Sequence, residues 1–176
     1  MPTAAEVAEA LHATTGCITR GRLLRTGDRF PRSTEVSFEF ADPAPLKAFG
    51  TLRSTGFDAV VTFRQRQTDL VLASYAYAIL DAGGRELVAF HWQPGATFRG
   101  PDMPHMHVSA ALAVMQTSGQ LRPFALHKLH IPTGSLALPT VVRMLVAEFG
   151  VQPLVRDWER RLAESGAILR RAMRPD

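Results

Sequence analysis

The chain reads as an α+β domain, a mostly antiparallel sheet with an N-terminal helix and two C-terminal helices packed on it. Two observations predict this. Residues 34–40 and 69–92 carry strand-like runs broken by the turn Asp81-Ala82-Gly83-Gly84. The last third, from Pro139, repeats apolar residues at helical spacing.

Taken in order, Ala4, Val7, Ala8 and Leu11 mark a short amphipathic helix over residues 3–13, which Gly16 ends. Residues 20–32 are basic and read as irregular. In Thr34–Phe40, Val36, Phe38 and Phe40 share one face, and Glu35 and Glu39 lie on the wet side of a half-buried strand. Asp42-Pro43 is expected to open a short helix through Leu46, Phe49 and Leu52, closed near Gly56. Ala59–Phe63 reads as a strand. Asp69–Leu80 is apolar on both faces, as a central strand is, and Glu86–Trp92 returns from its hairpin. A Pro- and Gly-marked loop spans 94–104, Ser109 is placed to cap a short helix through Met115, and Leu121–Ile131 looks extended. Val142, Leu145, Val146 and Phe149 then form a helical stripe that starts at Pro139 and stops at Gly150. Pro153 begins another, with Leu154, Trp158, Leu162 and Leu169 inward and Asp157–Arg161 as a surface pair. No repeat or linker divides residues 1–176, so a single domain is expected.

With 46% hydrophobic and 20% charged residues, the chain has the composition of a soluble globular protein. No run approaches the ~20 apolar residues of a bilayer span, and the first residues lack a signal-peptide pattern. A lone Cys17 excludes an internal disulfide framework and a cysteine-rich zinc site. The expectation is therefore a cytoplasmic protein without a membrane partner. The net charge of +4 is carried by arginine, with only Lys47 and Lys128 as lysines, which admits a nucleic-acid partner.

The functional signal is histidine. Five of the six histidines, His91, His105, His107, His127 and His130, fall between residues 91 and 130. Imidazole is both a common metal ligand and the side chain that exchanges protons near neutral pH. Alternation puts His91 on one face with Leu87 and Ala89, opposite Val88, Phe90 and Trp92. If 104–108 is extended, His105 and His107 point the same way, roughly 7 Å apart. With His91 or His130 they would form a facial set with open positions, suited to a divalent transition metal such as zinc or iron. Asp102 is placed to be a carboxylate ligand or the partner of an imidazole N–H. His127 and His130 fall on opposite faces of an extended 121–131, so at most one joins, and His130, beside the turn, is favoured. A metal-free alternative has His105, His107 and His130 as acid–base groups, with Arg99 and Lys128 holding a phosphate. For each histidine, a hydrogen-bonded structural role stays open. Tyr75 and Tyr77, on one face of a central strand, read as core, as do Trp92, Trp158 and Cys17. The P-loop, nucleophile-elbow and dinucleotide-binding patterns are absent.

Tyr75-Ala76-Tyr77, the Asp81–Gly84 turn and Pro104-His105-Met106-His107 together resemble the TumE-type toxins of bacterial toxin–antitoxin systems. The resemblance covers about a fifth of the chain. Pro101-Asp102-Met103 stands where that family has Asp-Asn before Pro-His. It implies a protein that acts on or binds RNA and pairs with a cognate antitoxin. A metal-dependent hydrolase or oxygenase is the other enzyme reading, and a protein-interaction module the non-catalytic one. A metal-binding cupin is disfavoured, because residues 109–115 contain no acid to complete its ligand pattern.

Overall fold

Alternation sorts this chain into two faces of one sheet, and the described helices pack on one of them. The computed structural model describes residues 1–26, 34–48, 55–95, 101–108 and 130–173. Helix α1 spans Ala4–Thr15. Thr3 caps it: the hydroxyl accepts the Glu6 amide at 3.3 Å, and the Glu6 carboxylate accepts the Thr3 amide at 2.8 Å. The strands are β1 (Leu23–Thr26), β2 (Glu35–Phe40), β3 (Ala44–Pro45), β4 (Gly56–Arg66), β5 (Asp69–Leu80), β6 (Glu86–Trp92), β7 (His105–Val108) and β8 (Ile131–Pro132). Helices α2 (Leu138–Ala147) and α3 (Trp158–Ala172) close the described chain. The sheet runs β1-β2-β4-β5-β6-β7-β8, every described pairing is antiparallel, and β3 lies beside the start of β4. The α+β architecture expected from the sequence is therefore the one observed.

On the inner face, Phe38, Phe57, Phe63, Tyr75, Tyr77 and Ile79 are almost fully buried and join one core with Val7 and Leu11 of α1, Val142 and Leu145 of α2, and Leu162 and Leu169 of α3. Phe38 and Phe63 meet edge to face, ring centres 6.0 Å apart. The β5–β6 connection behaves as its sequence suggests. Asp81 accepts the amides of Gly83 and Arg85 on one carboxylate oxygen, at 2.8 and 2.9 Å, and Gly84 takes φ 75°. Cys17 is buried, and Asp157 accepts Nε of Arg161 at 3.0 Å, both as expected.

Three local expectations are corrected. Residues 44–45 form a strand, where a helix from Asp42 was expected. Pro43 and Pro45 each bias the preceding residue toward extended backbone, and a proline inside a helix lacks the N–H the ladder needs. The extended form sends Ala44 and Leu46 inward, 2% and 5% exposed, beside β4. Within the basic segment, Leu23–Thr26 is a strand because β2 offers it an edge and Leu23 is buried. The last helix begins at Trp158, five residues beyond Pro153. The helix expected from Ser109 to Met115, and the extended stretch up to residue 129, lie outside the described residues.

Phe63→Ala is expected to lower unfolding free energy by about 3–5 kcal/mol, because it opens a cavity under the helices. Leu24→Ala, at a side chain 49% exposed, should change it by no more than about 0.5 kcal/mol. Urea denaturation followed by circular dichroism compares the two.

Candidate metal centre

Sheet register brings the histidines together. Across β5, β6 and β7, Ala76 pairs with His91 and His91 with His105, while Ala78 pairs with Ala89 and Ala89 with His107. Cross-strand partners share a face. His91, His105 and His107 therefore project from the face opposite Tyr75, Tyr77, Phe90 and Met106, away from the helices. Their neighbours there, Ala76, Ala78 and Ala89, are small enough to leave room for three rings.

One ligand nitrogen from each of His91, His105 and His107 can be chosen so that all lie within 4.8 Å of one another. The tightest pair is His105 Nε2 and His107 Nε2, 3.0 Å apart. Two nitrogens bound at zinc distances would lie about 2.9 Å apart at a right angle and about 3.3 Å apart at the tetrahedral angle. That pair is thus already spaced as two ligands of one ion, and a His91 ligand nitrogen lies within 4.8 Å of both. On the other side of the ring, His105 Nδ1 is 2.8 Å from the Met103 carbonyl oxygen. A carbonyl only accepts, so Nδ1 carries the proton and the lone pair of Nε2 faces the cluster. Such an outer hydrogen bond orients a metal-ligating imidazole.

The electrostatics agree with neutral rings. Burial, then the charges of His91, His130 and His105, push the His107 pKa down to about 4. His91 is lowered by burial and then by His105 and His130. A neutral imidazole is what a metal requires. It suits His107 poorly to the role of a general acid near pH 7.

Of the residues singled out from sequence, His91, His105 and His107 converge, and His105 is only 6% exposed. His130 stands beside them, its ring centre 4.4 Å from that of His107 and 5.0 Å from that of His105. Asp102 is elsewhere engaged: it accepts the Gly95 amide at 3.3 Å and is not among the convergent ligands. The outer-sphere acceptor expected of Asp102 is instead the Met103 backbone. Arg99, Lys128 and His127 lie outside the described residues.

The tyrosines have a role beyond packing. Their rings stack 4.8 Å apart, and burial raises the pKa of both phenols. The Tyr75 hydroxyl accepts the Leu136 amide at 3.2 Å, and the Tyr77 hydroxyl donates to the Leu136 carbonyl at 3.4 Å. They fix the chain just beyond β8, the strand that follows His130. A signal was present in sequence: a buried phenol needs a polar partner.

Fold and site together define the class: an antiparallel α+β sheet protein with a three-histidine group on the face opposite its described helices. No family model matches the chain, and no curated protein or solved structure does.

His107 should protonate only near pH 4 in the metal-free protein, which histidine side-chain NMR can follow. Its folded pKa lies below the unpaired value of 6.5, so between these two pH values the unfolded chain binds the proton and the folded chain does not. Stability should therefore fall as pH drops from 6.5 to 4, with no further loss from this group below that. His107→Gln should flatten this part of the urea-midpoint profile.

Proposed function

We propose that the protein is a metal-dependent hydrolase whose centre is held by His91, His105 and His107. The single observation that carries this reading is the convergence of three imidazole ligand atoms on one sheet face, one of them oriented by the Met103 carbonyl. The donor set fits a borderline divalent ion such as zinc or iron: all nitrogen, uncharged, and facial. Three protein ligands leave positions for water and substrate, and a zinc ion so held supplies a hydroxide-like nucleophile near neutral pH. The chain's own residues then have defined tasks. His105 keeps its lone pair inward through Nδ1–H, and His91 and His107 complete the set. The same centre with iron would support an oxygenase, a choice the metal content decides.

A second reading has support from one contact. The His105–His107 hydrogen bond is an imidazole pair that needs no metal, and it would serve phosphodiester cleavage or binding of RNA by a toxin-type protein with an antitoxin partner. The neutrality of His107 at pH 7 favours the metal. No described helix is long and apolar enough to cross a membrane, which is compatible with the cytoplasmic location we propose.

Calorimetric titration of chelator-treated protein with zinc, cobalt, iron, nickel and manganese ions should give one ion per chain for at least one of them. His105→Ala with His107→Ala should weaken that binding more than ~100-fold, since loss of outer-sphere partners alone costs 10–100-fold. Absence of stoichiometric binding by all five ions would overturn the metal reading. RNA cleavage that survives chelation and is lost in the double variant would establish the second.

A further inference from the structure

The β7–β8 ladder carries one more imidazole to the site than the convergent set uses. His105 pairs with Pro132 and Met106 with Ile131, and the Thr133 amide donates to the Pro104 carbonyl at 2.8 Å. The next place in this register sets His130 directly across from His107. The sheet thus holds two cross-strand pairs, His91 with His105 on one side of β7 and His107 with His130 on the other, offset by two residues along β7. By ring position His130 is nearer the His105–His107 pair, at 5.0 and 4.4 Å, than His91 is, at 5.9 and 5.1 Å. Its nitrogens nonetheless fall outside the convergent group.

What fixes His130 and what leaves it free are both visible. The main chain after it is tied by β8, by the Thr133 amide and by the Leu136 bonds to the two tyrosine hydroxyls. The side chain itself is exposed. Rotation about its own torsions therefore brings a nitrogen to the cluster without backbone movement, and exposed side chains make such turns in picoseconds to nanoseconds.

Resting on the metal reading above, we propose that His130 is a displaceable fourth ligand of this centre. Turned in, it completes four imidazoles, the closed tetrahedral set of a site that does no chemistry. Turned out, it leaves three and an open position. Substrate or a small anion then competes with His130 for that position, so the resting centre is protected from adventitious anions and opens when a better ligand arrives.

The full-length protein, loaded with cobalt(II), reports this through its visible spectrum, whose intensity follows coordination number and geometry. His130→Ala should alter the cobalt band, weaken cobalt about tenfold and bind azide about tenfold more tightly than the wild type. Because His130 is exposed, the variant should keep the wild-type circular dichroism. If His130→Ala matches the wild type in spectrum, cobalt affinity and azide affinity while His105→Ala loses the ion, the fourth-ligand role is refuted and the three-histidine centre stands. Failure of the wild type to bind cobalt or any of the other ions would refute both.

Discussion

A slip of one residue between β6 and β7 would turn His105 and His107 into the aromatic core and push Met106 out onto the opposite face. The pairing of Ala89 with His107 and of His91 with His105 is the constraint on which the rest depends. What prevents the slip is the burial of the other face. Val88 and Phe90 are held in the core with Tyr75, Tyr77 and Ile79, and period-two geometry lets no residue on those strands change sides alone. The described helices therefore place the histidines indirectly. By filling the inner face they commit His91, His105 and His107 to the outer one.

Much of this could be read from the residues, and what could not has identifiable causes. The β5–β6 hairpin was legible because Asp81, Gly83 and Gly84 sit between two long apolar runs, and the faces of His91, His105 and His107 followed from alternation. Edge pairing was not. Nothing in Leu23–Thr26 or Ala44–Pro45 announces a strand, since each owes its conformation to a partner distant in sequence. A backbone estimate of roughly 7 Å between alternate residues also says little about nitrogens that approach to 3.0 Å, because ring orientation is set by contacts such as the one from His105 to Met103. Alternation within one strand cannot show that Asp102 would turn to the Gly95 amide.

The outer position of the cluster also suits its chemistry. On the inner face, imidazoles would compete for volume with stacked tyrosines and phenylalanines in a packed core. On the outer face they are partly buried, enough to depress His107 and His91. Small residues make this possible. Alanine at 76, 78 and 89 removes the side chains that would otherwise fill the space beside the rings.

Such a cluster has a cost in the metal-free protein that a bound ion would reverse. Protonation of His91 or His107 is opposed by the neighbouring imidazoles, so acid places repelling charges on the adjacent strands β6 and β7, beside β8, which contributes two residues of pairing. An ion that binds the folded chain alone adds RT ln(1 + [ion]/Kd) to stability, about 2.7 kcal/mol at a hundredfold excess over Kd. That gain would come beside β8, a strand of two residues that pairs only with β7 among the described strands. Under the proposed function, the same ion that activates water would hold β6 and β7 in register, and the fourth histidine would extend that hold to β8. Catalytic competence and the integrity of this edge of the sheet would then be coupled through one centre, and the alternation that commits the histidines to their face is what makes the coupling possible.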